Sequence, residues 1–193
     1  SNRQKKQDGN YFDSFIGLDF FYDKRNQKYQ TTSGFFSSYS VNMPIISETN
    51  TLTNTYNYKV FKELYENNVS SFSFLFKGAN SLTGDDIKLS ERIYIPGKKL
   101  RGFESGKIGP KDGQQYIGGN YASSLNLSST LPNVIFENEN VDFNIFMDFA
   151  NVWKVDYDSS LDSNKIRSSS GVAVNWFSPV SYTHLTLPTT YTV

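Results

Sequence analysis

The chain has 193 residues with 19 acidic and 19 basic side chains, no cysteine, one histidine and 16% aromatic residues. This length fits one domain or part of one, and a net charge of zero lacks the positive field that nucleic-acid binding uses, so we expect no nucleic-acid partner. Without cysteine, disulfide frameworks and Cys-based zinc or redox sites are excluded, and the single His184 leaves little for a metal site or a catalytic triad.

Large apolar side chains are spread thinly along the chain, whose mean hydropathy is −0.50. Because no stretch of about 18 consecutive apolar residues exists, the sequence predicts no membrane-spanning helix. Residues 1–10 are polar and lack both an initiating Met and the apolar core of a secretory signal. We therefore expect the chain to be a fragment of a longer protein.

Apolar and polar residues alternate with a period of two, which is typical of β-strands. In the first segment, Ile16, Leu18 and Phe20 share one parity, and Asp19 and Asp23 share the other. Seven segments are predicted as strands on this pattern: residues 10–23, 35–45, 56–64, 71–77, 117–131, 141–153 and 167–176.

Two architectures produce such alternation, a soluble β-sandwich and a membrane β-barrel. The predicted strands exceed the five or six residues usual in sandwiches, and aromatic residues recur near their ends, where barrels carry aromatic girdles. The pattern thus favours an all-β, antiparallel transmembrane β-barrel, present here as an open fragment of about seven strands with two unpaired edges. The sandwich remains the alternative on pattern alone.

The connections between the predicted strands differ in length. Residues 48–53 and 66–68 are short, residues 156–166 are intermediate and residues 81–115 are long. Membrane barrels alternate short periplasmic turns with long outer loops. A long loop without regular structure is rare unless it is functional, so we expect the function to lie in residues 81–115.

Five segments in and after this loop carry a resemblance to a known family. They are LRGF at 100–103, IGP at 108–110, GGN at 118–120, FMDFANVW at 146–153 and RSSSGVAVNWFSP at 167–179. In this order and spacing they resemble the C-terminal barrel of BamA-type outer-membrane assembly factors, in the bacterial surface antigen superfamily. The resemblance runs clearly over residues 94–179 and more loosely back to residue 10.

The resemblance implies a lock that holds the long loop inside the barrel. In the family the loop Arg pairs with an Asp on an inner wall, and the matching residues are Arg101 and Asp148. Gly102 would allow a tight bend, and Phe103 would wedge into the wall. Parity supports the pairing independently, because Asp148 shares the polar face of its strand with Asp142.

Other polar residues of that face are candidate partners in the lumen. A second acid that family members carry one strand earlier corresponds to Asn126, which puts a three-member charge network in doubt. We predict Asn126 and Asn175 as possible lumen partners. The acidic stretch from Asp156 to Asp162 has calcium-loop spacing but lacks the required Gly and the closing Glu, so it predicts a solvated outer loop and no metal site.

No nucleophile and base can be assembled into a catalytic site, so we expect neither an enzyme nor a cofactor. The resemblance implies a factor that folds and inserts client β-barrel proteins into the bacterial outer membrane. Its implied partners are outer-membrane lipid, client proteins, periplasmic domains of the same polypeptide and accessory lipoproteins. A two-partner secretion transporter of the same superfamily and a passive porin remain alternatives.

The last residues read differently from the rest. Residues 180–189 resemble the in-frame translation of a sequencing-library adapter. We therefore predict a partial outer-membrane barrel domain at residues 1–179 and a non-native read-through at 180–193. On this view both strands of the barrel seam are missing, the chain alone is inactive and His184 has no role.

Overall fold

The computed structural model describes residues 14–46, 50–131, 141–177 and 182–191. Its strands are β1 (Ser14–Asp23), β2 (Gly34–Ile46), β3 (Thr51–Tyr65), β4 (Asn68–Ser81), β5 (Lys111–Asp112), β6 (Gln115–Tyr116), β7 (Tyr121–Leu131), β8 (Val141–Trp153), β9 (Arg167–Phe177) and β10 (Tyr182–Tyr191).

Eight of these strands form one antiparallel sheet in the order β1-β2-β3-β4-β7-β8-β9-β10, so strands adjacent in this order are hydrogen-bonded neighbours. The short strands β5 and β6 make a separate hairpin within the connection between β4 and β7. The prediction of an all-β, open antiparallel sheet is confirmed. None of the helical segments in the described residues has the length and apolar character of a membrane span.

The two faces of the sheet differ in the way that the period-two pattern predicts. In β8, Phe146, Asp148 and Val152 are buried, whereas Ile145 and Met147, which have the opposite parity, are each 46% exposed. The buried set lies on the face against which residues 82–120 fold, which we term the inner face. The exposed residues Ile145 and Met147 lie on the opposite face, which we term the outer face.

Cross-strand register aligns the outer-face side chains into rows, and the aromatic ones gather toward the strand ends. Rings of Tyr22, Phe35, Tyr58 and Phe72 follow one another with centroid distances of 5.5, 6.0 and 6.5 Å. A second group lies toward the opposite strand ends: Phe76, Tyr121 and Trp153. Such contacts stabilise neighbouring strands beyond simple area burial.

The structure corrects one predicted strand and adds another. The strand predicted from residue 117 begins only at Tyr121, and Ile117 lies in the preceding loop, where it is 3% exposed. Its N–H donates to the carbonyl of Pro110, so this side chain belongs to the loop interior and not to the outer apolar row. The backbone of β10 pairs with β9 and extends the sheet by an eighth strand.

Some predictions fall outside the described residues or are not tested by this geometry. Residues 10–13 of the first predicted strand and residues 178–181 at the predicted domain boundary lie outside the described residues. Strand pairing does not reveal whether the genome encodes residues 180–193, so the adapter origin of the tail stays a prediction.

Candidate functional site

The connection between β4 and β7, residues 82–120, is the long loop, and it folds back over the inner face. Leu100 is the largest of its fully buried side chains, with 1% exposed. The loop residues Ile87, Ile93, Ile95, Leu100 and Ile108 form a cluster with four small wall residues, Ala79, Ala122, Ala150 and Val152. These small side chains leave room on the wall for a loop to dock closely.

Local turns direct the loop tip, residues 96–110, toward the wall. A 3-10 turn at Gly97–Lys99 follows Pro96, whose carbonyl accepts the N–H of Lys99 at 2.8 Å. Gly102 then has a φ of +87°, a left-handed conformation that glycine adopts without a Cβ clash. The chain therefore reverses directly after Arg101, as the sequence predicts for Gly102.

Arg101 and Asp148 form a two-pronged ion pair, which we call the tip clasp. Nε and Nη2 of Arg101 each donate to a different carboxylate oxygen of Asp148 at 2.7 Å, and the Arg101 backbone N–H donates to the same group at 3.1 Å. The Asp148 side chain is fully buried and that of Arg101 is 16% exposed. A paired, dehydrated fork of this kind is stronger than an exposed ion pair.

Two wall residues complete the tip clasp. Asn126, which lies opposite Asp148 in the β7–β8 register, donates through Nδ2 to Asp148 at 2.9 Å and to the carbonyl of Lys99 at 2.8 Å. The guanidinium of Arg101 lies 3.7 Å from the ring centroid of Phe146. An amide thus occupies the place of the second acid and still binds both the wall carboxylate and the loop backbone.

A further loop cation touches the same wall. Lys99 Nζ donates to Ser73 Oγ at 2.9 Å, and Ser73 lies opposite Asn126 in the β4–β7 register. Burial lowers the pKa of Lys99 because it penalises the charged form, and the nearby Asp148 charge opposes that shift. The Oδ1 atom of Asn126 is buried without a hydrogen-bond partner, so the polar contacts here are not fully satisfied.

The remaining predicted site residues are placed differently. Phe103 packs on the apolar cluster of the long loop, and Leu100 occupies the deepest position against the wall. Asn175 lies on the inner face opposite Asp142, whereas Asp148 faces Ser169 six residues along β9. At about 3.3 Å per residue this separation is roughly 20 Å, so Asn175 is not brought to the tip clasp.

A second buried ion pair, the base clasp, ties the long loop to the outer loop at residues 154–166. Arg92 pairs with Asp156, and the Arg92 side chain is fully buried while that of Asp156 is 20% exposed. Nη1 and Nη2 of Arg92 also donate to Asn120 Oδ1 at 3.4 Å and to the Ile87 carbonyl at 3.3 Å. The Ile87 N–H donates to Asp156 at 2.7 Å. The long loop and the loop at residues 154–166 are therefore joined to each other beyond the C-terminal end of β8.

The base clasp sets the protonation behaviour of Asp156. Burial on its own raises the pKa of this carboxyl, but the hydrogen bond from Ile87 and the charge of Arg92 outweigh burial and lower the pKa. Asp158 accepts from Ser160, and Asp162 accepts from the Lys154 N–H. Asp156, Asp158 and Asp162 thus each accept hydrogen bonds from different donors. The described residues contain no cluster of three or more His, Cys, Asp or Glu side chains that could hold a metal ion.

The Gly118-Gly119 pair lies where the long loop returns to the sheet. A Cβ on Gly119 would lie 2.4 Å from the carbonyl oxygen of Trp153. Gly119 forms a two-way backbone bridge with Ile93, and Asn120 donates to the carbonyl of Lys154. Glycine permits this close backbone approach.

Sequence reasoning missed three contributors to this arrangement. Phe146 shares the parity of Asp148, so the strand pattern would have placed it on the inner face. Arg92 and Lys99 lie outside the strands of the sheet, where no period-two alternation signals a contact. Taken together, the site is a docked, doubly anchored loop that can cover the inner face; what it offers chemically is binding and mechanical restraint.

Comparisons with known proteins place this geometry in context. A family model described as the Omp85 superfamily domain matches residues 1–188. The solved structure of BamA from Haemophilus ducreyi lacking POTRA domains 1–3 matches with a TM-score of 0.77 and 23% identity, over 91% of this chain and 38% of that chain. The present chain therefore spans less than half of the matched structure. A search of curated proteins finds no significant match.

Proposed function

Since the chain belongs to the Omp85 superfamily, we propose that it is the C-terminal part of an outer-membrane barrel that folds and inserts client β-barrel proteins. The observation that carries this proposal is the tip clasp, in which Arg101 of the long loop is bound to the fully buried Asp148 on the inner wall. Insertion by edge pairing needs backbone hydrogen bonds and no covalent chemistry, so we propose a non-enzymatic role.

The outer face supports a location in the bacterial outer membrane. Large apolar side chains are exposed there, including Phe20 at 61%, and no second protein layer covers them in the described part of the chain. Hydrocarbon lipid would bury this surface, since membrane barrels turn an apolar band outward and polar residues inward. Outer-membrane lipid is thus the first proposed partner.

Client proteins, periplasmic domains and accessory lipoproteins are the further partners that this function requires. The chain covers only 38% of a BamA structure from which POTRA domains 1–3 had been left out, so we propose that further, periplasmic domains belong to the same polypeptide. Client strands would be templated at the barrel seam by edge pairing. The accessory lipoproteins are proposed from the family resemblance alone.

The position of the long loop favours an assembly factor over a passive porin. A porin needs an open lumen, whereas here Leu100 and Arg101 lie against the inner wall. A two-partner secretion transporter would share this loop, so that alternative stays open. Neighbouring genes separate the two, because a transporter should lie beside one large secreted substrate.

The proposal is tested in the complete protein by replacing the endogenous assembly factor with variants. We expect Arg101→Ala and Asp148→Lys each to impair growth and to reduce the amount of folded porin in the outer membrane. Lys107→Ala is the matched control, because the Lys107–Glu104 pair of the same loop is exposed and contributes little. Normal growth and porin assembly in both clasp variants would count against the proposal.

A further inference from the structure

A groove of about 430 Å³ crosses the outer face over β3, β4, β7 and β8. Its floor is the backbone of one cross-strand row, and its two walls are the outward side chains of the rows on either side. One wall contains Val60, Phe72, Leu127 and Met147, which lie opposite one another in the register. This volume is within the range of ordinary small-molecule sites.

Two small residues in the other wall create the groove. Ser70 and Ser129 are cross-strand neighbours, and they stand between Lys62 on one side and Ile145 on the other. Their hydroxyls are 2.9 Å apart and hydrogen-bonded to each other. Because each hydroxyl has its partner within the wall, the groove presents an almost wholly apolar surface.

Lys62 marks one end of the groove and gives it a charge. It is exposed on the outer face, three residues before the end of β3, and no carboxylate among the described residues forms an ion pair with it. The two-residue turn at 66–67 follows directly, and barrels of this type place such short turns on the periplasmic side. A lysine on an outward row near that side reaches the depth of lipid phosphates.

We propose that the groove seats an acyl chain of a phospholipid of the periplasmic leaflet, with the lipid phosphate at Lys62. This rests on the proposed location in the outer membrane. The apolar walls exclude water and favour a hydrocarbon chain, and the unpaired ammonium complements an anionic phosphate. The groove therefore gives the lipid a defined binding position on the outer face.

The test uses the complete purified protein in nanodiscs with a phospholipid that carries a photoactivatable group on its acyl chain. Cross-links mapped by mass spectrometry should concentrate at Val60, Leu127 and Met147. Filling the groove with Ser70→Leu and Ser129→Leu should reduce those cross-links at least tenfold. Lys62→Gln should reduce lipid retention about fivefold, the size expected for one lysine near an anionic surface.

Ser123→Leu is the matched control, because Ser123 lies on the same strand and the same face as Ser129 but outside the groove. It should leave the cross-links unchanged, and heat-modifiable migration checks that every variant is folded. Cross-links spread evenly over the outer face, or unchanged after filling, would overturn the inference, as would a groove occupied by a protein segment. Lipid seating without client assembly would instead overturn the proposed function alone.

Discussion

The two clasps of the long loop are both buried Arg–carboxylate pairs, but they bury opposite partners. At the tip, Asp148 on a strand is fully buried and Arg101 of the loop is 16% exposed. At the base, Arg92 of the loop is fully buried and Asp156 is 20% exposed. Breaking a buried pair is costly mainly because one charge is left unpaired, so the costly substitution differs between the clasps.

The difference also assigns separate tasks to the clasps. The tip clasp joins the loop to a strand that hydrogen bonds on both sides hold in place. The base clasp joins two irregular segments, and the Arg92 guanidinium also lies 4.9 Å from the ring centroid of Tyr157. The tip clasp therefore fixes the loop against the lumen wall, whereas the base clasp fixes the outer loops to each other.

The largest expected effect is that of Arg101→Ala on the docking of the loop tip. It removes the two side-chain donors of Arg101, Nε and Nη2, and leaves the buried Asp148 carboxylate with only the backbone N–H of residue 101 and the Asn126 amide, so we expect a loss of about 3 kcal/mol. Hydrogen exchange should then accelerate over residues 96–110 and stay slow at Ile93 and Gly119. Equal acceleration in both regions would show that the clasps are one unit.

The second prediction concerns the asymmetry of the base clasp. Asp156→Ala leaves the Arg92 charge buried and should cost about 3 kcal/mol, whereas Arg92→Met keeps the apolar volume and leaves a partly hydrated carboxylate, at about 1 kcal/mol. Exchange rates at Ile87 and Ile93 in the two variants provide the comparison. The reverse order would contradict the assignment of Arg92 as the buried partner.

A third substitution tests the contact of Gly109, in the loop tip, with Val152, which lies on the wall between Asp148 and Asp156. A Cβ on Gly109 would lie 2.7 Å from Val152 Cβ, and φ is +96°, so Gly109→Ala should destabilise the docked loop by about 2 kcal/mol. Gly113→Ala is the control, since φ there is also positive but nothing lies within 4 Å. Val152→Ala removes the Cγ1 contact at 3.0 Å but keeps Cβ, so it should recover only a small part of the loss at Gly109 and none at Gly113.

The smallest expected effect is a pH response confined to the base clasp. The folded state lowers the pKa of Asp156, so its contribution is present above the ordinary Asp value of about 4 and is lost as pH falls through the folded value. Exchange at Ile87, corrected for the intrinsic pH dependence, should thus accelerate only in acid below about pH 4. Asp156→Asn should abolish this step, and a step that persists would have another origin.

Much of the fold was predictable because strand periodicity is a local property. Alternation separates Ile145 and Met147 from Asp148 without any knowledge of the neighbouring strands, and it places Asp148 inward. The seven predicted strands correspond to β1–β4 and β7–β9, with β7 starting later than predicted. Parity together with the family resemblance also indicated the Arg101–Asp148 pairing that the structure contains.

Tertiary structure alone decided the base clasp, the stacking of Arg101 on Phe146 and the outer groove. Arg92 and Asp156 lie 64 positions apart in two irregular segments, and no repeat relates them. The groove depends on register, because Ser70 and Ser129 become neighbours only when β4 pairs with β7. Side-chain direction along a strand is fixed by the backbone, but contacts between distant segments are fixed only when the sheet and its loop pack together.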